Sequence, residues 1–144
     1  MRFLGIDYGT KRIGLALSDE NGQLAFPNGI FPNDPSLLKE IGIILKKENI
    51  GEIVVGESTN FQGQPNIILS KKIEIFILEL QARFEIPVFK QKEFLTSVEA
   101  RGKKGKEENN ARKTKKKLNK KIDDSAAALI LQRYLDKKNR SLML

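Results

Sequence analysis

Apolar residues along the 144-residue chain follow first a period of two and then a period near 3.6, and the change of period predicts the order of elements. Phe3 to Asp7 is a short apolar run ending on an acid, and Arg12 to Ser18 places Ile13, Leu15 and Leu17 on alternate positions, so both read as strands. Asp19-Glu20-Asn21-Gly22 is a hairpin turn, because Asn-Gly readily takes positive φ. Gln23 to Phe31 then continues as a third strand, weakened by Pro27. Asp34 can cap a helix with Pro35 at its first position, after which Leu37, Leu38, Ile41, Ile44 and Leu45 recur at helical spacing. Glu52-Ile53-Val54-Val55-Gly56 has the composition of a short buried strand, and a polar, glycine-bearing loop follows from Glu57 to Gln64. A second helix, Asn66 to Phe84, is apolar over much of its circumference, through Ile67, Ile68, Ile73, Ile75, Phe76, Ile77, Leu78 and Leu80, and is expected to be well covered. Ile86-Pro87-Val88-Phe89 restarts an extended segment, placing Glu93 just past a fifth strand. Thr96 can cap a short helix reaching Arg101, with Glu99 as its capping-box partner. A last helix spans Ile122 to Lys138, with Asp123 and Asp124 at its positive dipole end.

Three strands followed by alternating helices and strands give an α/β fold: a mixed five-stranded sheet, opened by a three-strand meander, with helices on both faces. The length fits one domain over 1–144 and leaves no room for a second core.

Composition narrows the chemistry. The chain has no cysteine and no histidine, which excludes disulfides, thiolate zinc sites, cysteine nucleophiles and any serine mechanism needing an imidazole base. Catalysis is left to carboxylates, lysines, hydroxyls or bound metal. The apolar N-terminal run is too short for a signal-peptide core or a membrane span, so the expectation is a cytoplasmic protein with no membrane partner.

The net charge of +8 is concentrated in one segment. Arg101 to Lys121 holds eleven Lys or Arg and two Glu, whereas the rest of the chain carries 15 basic and 16 acidic residues. A loop over about 102–120 is therefore expected to be mobile and to bind polyanions with salt-sensitive affinity, because neutralising phosphates releases condensed counterions. The competing reading is a solvated lysine-rich loop that keeps the protein soluble. Candidate nucleic-acid contacts are Arg101, Lys103, Lys104, Arg112, Lys113, Lys115, Lys116 and Lys117 in this segment, with Lys11, Arg12 and Asn60 outside it.

Candidate chemistry gathers on acids at element ends. Asp7 ends the first strand and is followed by Tyr8-Gly9-Thr10, where glycine lets a backbone approach a phosphate closely; an Asx turn is the plainer account of the same residue. The plainer account of Asp123 and Asp124 is compensation of the last helix's dipole. Glu99 has a local capping role, which leaves Glu93 the better ligand candidate of that region. Three carboxylates from separated elements are what magnesium or manganese requires, since hard cations take oxygen ligands and activate water without histidine.

The run Phe3-Leu4-Gly5-Ile6-Asp7-Tyr8-Gly9-Thr10-Lys11-Arg12-Ile13-Gly14-Leu15-Ala16 resembles the opening signature of the YqgF family, bacterial Holliday-junction-resolvase-like proteins described as pre-16S rRNA nucleases. Ile53-Val54-Val55-Gly56 with Asn60 and Gly63, Leu95-Thr96-Ser97-Val98-Glu99-Ala100, and Lys121-Ile122-Asp123 leading into Ala126-Ala127 resemble its later motifs, in order and over almost the whole chain. The resemblance implies a ribonuclease H-like fold, with Asp7, Glu93 and Asp123 as catalytic acids holding Mg2+ or Mn2+. Two departures stand out. Glu57-Ser58 replaces the family's Leu-Pro after the central glycine, making Glu57 a candidate further ligand beside Asp124 and Glu99. Lys92-Glu93-Phe94 keeps only the glutamate of an aspartate-glutamate-arginine run.

The function so implied is a metal-dependent nuclease of structured RNA that processes the 5′ end of pre-16S rRNA in ribosome biogenesis. A resolvase of branched DNA and a nonenzymatic rRNA-binding protein are the alternatives, with the chain a monomer or a homodimer. A resolvase would need a symmetric dimer to cut two strands. Asp7-x-Gly9-Thr10 also resembles the phosphate loop of actin-like ATPases, but those need two such domains around one nucleotide.

Overall fold

A computed structural model describes residues 1–58, 67–93 and 125–143. Five strands form one sheet in the order β3-β2-β1-β4-β5: β1 (Arg2–Asp7), β2 (Arg12–Ser18), β3 (Ala25–Pro32), β4 (Ile50–Ser58) and β5 (Val88–Glu93). The meander β1-β2-β3 is antiparallel, while β4 runs parallel to β1 and β5 parallel to β4. The mixed sheet expected from the pattern is the one observed.

The β2–β3 hairpin is held by Asp19 as well as by its glycine. The Asp19 carboxylate accepts from the backbone N–H of Gln23 (2.8 Å) and Leu24 (3.1 Å), which holds its pKa below the ordinary value, and Gly22 takes φ +66°. Strand β3 lies at an edge, where Pro27 is tolerated, and carries a bulge between its pairings to Gly14 and Ala16, with Gly29 at φ +99°.

Two helices cover one face. Helix α1 (Leu37–Lys47) buries Leu37, Ile41 and Leu45. The helix begins two residues later than its pattern suggested: Ser36 stands at its N-cap without a side-chain cap, and the Asp34 carboxylate instead accepts from the Ser36 N–H at 2.9 Å in the turn before it. Helix α2 (Ile67–Phe84) buries Ile73, Phe76 and Leu80 beside them, against Leu4, Ile6, Ile13, Leu15, Ile53 and Val55 of the sheet. Here the expectation of a well-covered helix is corrected. Ile67, Ile68, Ile75 and Leu78 are 57–70% exposed, because α2 meets the sheet along one stripe and nothing among the described residues covers the other.

Helix α3 (Ala126–Met143) covers the opposite face, where Ala127, Ala128, Ile130, Leu131 and Leu135 meet Phe3, Ala16, Ala25 and Val54. It begins later than its pattern suggested and runs further. Ser125 forms its cap, the hydroxyl accepting from Ala128 N–H at 3.1 Å. The helix lies close to the strands because they present glycine beneath it: a Cβ on Gly5 would stand 2.7 Å from Leu131 Cβ, and one on Gly56 would stand 2.6 Å from two Ile130 carbons. At its middle Tyr134 stacks on Phe89 and meets Glu52, and burial together with that carboxylate raises the phenol's pKa. No helix among the described residues is long and apolar enough to cross a membrane.

Candidate active site

Parallel strands end on the same edge of a sheet, so β1, β4 and β5 bring their C-terminal residues together. Asp7 is the last residue of β1 and sits in a row of paired positions running Ile30, Gly14, Asp7, Gly56, Gln91 across all five strands. Glycine on either side leaves the space flanking its carboxylate free of neighbouring strand side chains. Above the row lies the start of α3: a Cβ on Gly14 would stand 3.5 Å from Ala127 Cβ and 3.6 Å from Asp7 Cβ, so Asp7 shares one face and one edge with the first turn of that helix.

The turn after Asp7 is tightly built. A Cβ on Gly9 would overlap the Arg12 carbonyl oxygen, so no other residue fits without moving the backbone. Asn33 latches the turn from outside. Its side-chain amide donates to the Gly9 carbonyl and its backbone N–H to the Lys11 carbonyl, each at 2.9 Å. Nothing in the local sequence marked Asn33. The meander does, because β3 pairs with β2 and its end at Pro32 falls opposite Arg12. Lys11 and Arg12 are both exposed here, beside the edge that carries Asp7. Tyr8 turns the other way and packs on Phe76 of α2, ring centroids 5.0 Å apart.

Glu93 is the final residue of β5 rather than the residue beyond it, and its backbone pairs with Ser58. That position is two residues past the row holding Asp7 and two strands over. Strand spacing and rise set the two Cα atoms about 12 Å apart. Glu57 is placed differently. Alternation along β4 turns it to the face covered by α1 and α2, where it is buried and ion-paired with Lys90 at 3.1 Å; Lys90 also lies 3.9 Å from Glu74 of α2. The structure therefore separates Glu57 from Asp7 by the thickness of the sheet. Lys90, which sequence reasoning passed over, is its structural partner.

Asp123, Asp124, Glu99, Asn60 and the basic residues Arg101, Lys103, Lys104, Arg112, Lys113, Lys115, Lys116 and Lys117 lie outside the described residues, as do the short helix after Thr96 and the loop over about 102–120. Among the described residues no three acids cluster as a metal site. Of the acids singled out in the sequence, the described residues bring the positions of Asp7 and Glu93 to one edge of the sheet and set Glu57 on its opposite face.

The RuvX family model, described as Holliday junction resolvase, matches residues 1–137. A protein of Acetivibrio thermocellus named "Putative pre-16S rRNA nuclease" is 37% identical over 145 residues, covering 99% of this chain and 100% of its own. A protein of the same name from Maridesulfovibrio salexigens is 31% identical over 137 residues, covering 94% and 98%. Among solved structures, RuvC of T. thermophilus in complex with a Holliday junction substrate superposes with a TM-score of 0.54 at 14% identity, covering 96% of each chain. At that identity the likeness speaks for the fold, which is that of the RuvC-like resolvases.

Proposed function

Since the chain belongs to the RuvX family, whose relatives are named as nucleases, we propose that it hydrolyses phosphodiester bonds at the sheet edge carrying Asp7, and that its substrate is structured RNA of the small-subunit precursor. The observation that carries this reading is the placement of Asp7: an acid at the end of the central β1, flanked by Gly14 and Gly56, with the start of α3 beside it. Asp7, Glu93 and Asp123 are the residues that would hold Mg2+ or Mn2+, which when bound supplies charge neutralisation at phosphorus and lowers the pKa of a water nucleophile.

The chain's own residues do the rest. Gly14 and Gly56 put no strand side chain beside Asp7, and Ala127 and Ile130 of α3 pack over them, so the phosphate approaches Asp7 from the open edge of the sheet. The Gly9 turn, fixed by Asn33, presents the Lys11 and Arg12 cations next to that approach, where they attract and orient a phosphodiester backbone. Arg101 to Lys121, with its eleven basic residues, supplies further contacts and makes binding salt-sensitive. The RNA substrate rests on the relatives' name and competes with branched DNA, for which the RuvX family is described.

Cleavage of RNA carrying the small-subunit precursor 5′ region, beside a synthetic four-way DNA junction, tests the proposal with Mg2+, Mn2+ and chelator compared. Cutting should require the metal, and Asp7→Asn should lower it at least about a hundredfold while leaving binding intact, because the substitution removes a charge and keeps the shape. Cutting retained by purified Asp7→Asn would sink the site assignment. Preference for the junction would overturn the RNA reading and leave the nuclease in place.

A further inference from the structure

Phe89 keeps an aromatic ring open at the margin of the sheet. It lies on the α3 side of β5, the last strand in the order, and is 42% exposed although its ring stacks on Tyr134 with centroids 5.9 Å apart and planes within 26°. Tyr134 is braced from behind. Its ring meets Phe3 at 6.1 Å, its hydroxyl lies 3.4 Å from a Glu52 oxygen, and Lys138 pairs with that carboxylate at 3.2 Å. Phe89 is thus the outer member of a fixed aromatic row, and among the described residues no strand lies beyond it. A ring held on one side and open on the other can extend the stack by one more flat ring.

The place of Phe89 in the sheet says which ring. Its partner in β4 is Val54, which packs under α3, and Val54 pairs in turn with Gly5 of β1. Asp7 follows two residues after Gly5, so Asp7 and Phe89 share a face of the sheet, with Cα atoms about 12 Å apart by strand spacing and rise. A strand of nucleic acid with a phosphate at Asp7 therefore has neighbouring nucleotides within reach of Phe89. The charge alongside suits the same ligand. Gln132 and Asn139 of α3 turn to the β2–β3 hairpin, where they bond the backbone of Ala25 and Gly22, whereas Arg133 and Lys137, one turn apart, lie on the flank toward β5. Glu52, the acid beside Tyr134, is neutralised by Lys138. An open aromatic ring beside a basic helix flank has the makings of a platform for a base whose backbone runs along the positive charge.

We propose that Phe89 stacks an unpaired base of the nucleic acid bound at this face, and that the substrate is therefore single-stranded beside the cut. Within a duplex both faces of each base are covered by its neighbours, which leaves none for Phe89. The position of the cut rests on the proposed active site; the stacking does not.

The chain has no tryptophan, so Phe89→Trp places a single indole at this point of the full-length protein. Titration with single-stranded RNA in chelator should quench its fluorescence, and a long blunt duplex should quench it far less. Phe89→Leu keeps an apolar contact with Tyr134 but removes the ring. It should weaken single-strand binding at least about fivefold and leave both the salt slope and duplex affinity unchanged, because stacking is not ionic. Phe89→Tyr, which keeps the ring, should bind as the parent does, and equal melting temperatures of all three variants check the fold. Should Phe89→Leu melt early, the indole and Phe89→Tyr decide alone. A quenched indole in a protein that never cuts would keep the platform and sink the active site, so the two readings fail separately. An indole that single strands leave unquenched, or one quenched equally by duplex, would overturn the platform. A folded Phe89→Leu protein that binds single strands like the parent would overturn it as well.

Discussion

Glu57 and Lys90 show how a single position changes character between sequence and structure. In the sequence Glu57 is an extra acid at the end of the central strand and reads as a ligand candidate. In the structure it is 8% exposed on the α2 side of the sheet and neutralised by Lys90. Removing one member of such a pair strands the other's charge, whereas replacing both with apolar residues restores packing. Lys90→Met should therefore destabilise the fold by about 3 kcal/mol or more, and Glu57→Leu with Lys90→Met should recover most of the loss, as read by urea denaturation. Metal-dependent cleavage, once detected, should survive Glu57→Leu with Lys90→Met; its loss would return Glu57 to the ligand set. The position of Asp7 at the end of β1 was legible because an apolar run closes on an acid there before Tyr8-Gly9-Thr10. Glu57 was misleading because the face a strand residue takes follows from register, and register is set by neighbours far away in sequence.

The element scale was legible where one period ran uninterrupted, as in the β1-β2-β3 meander and α1, and where a turn residue had a conformational reason, as at Gly22. It failed at α2, because apolar content alone does not say whether a second layer exists to cover it. The placement of α3 was likewise invisible, since it depends on glycines in three different strands. Gly5 and Gly56 lie directly beneath Leu131 and Ile130, and Gly14 beneath Ala127. Gly56→Ala should push the helix off the sheet next to the row that holds Asp7, at a cost of about 1–3 kcal/mol from overpacking. Ile130→Ala opens a cavity at the same place and is also destabilising alone. Combined, the added methyl enters the vacated space, so the double variant should lose clearly less than the sum of the singles in thermal or urea melts. Strict additivity would show that α3 does not rest on Gly56 as described.

Viewed whole, the molecule separates its charge from its architecture. Arg101 to Lys121 carries eleven basic residues against two acids, while the remaining chain has 15 basic against 16 acidic residues and builds the sheet and its helices. The fold gains nothing from such a concentration of like charge, which opposes compaction. The use proposed for it is at long range, on a polyanion, where the release of condensed counterions into the surrounding salt would give a measurable slope. Replacing Lys113, Lys115, Lys116 and Lys117 with serine should reduce the dependence of log affinity on log salt by about 3, at roughly 0.7–0.9 for each phosphate no longer neutralised. The melting temperature should stay unchanged, because these residues lie outside the elements that form the core. Binding should weaken most at low salt and converge with the parent protein's at high salt, where screening removes the contribution from both. An affinity that falls without any change of slope would mean that the lysines meet something other than phosphate. An unchanged affinity and slope would assign the segment to solubility, leaving Lys11 and Arg12 beside Asp7 as the basic residues that meet the substrate.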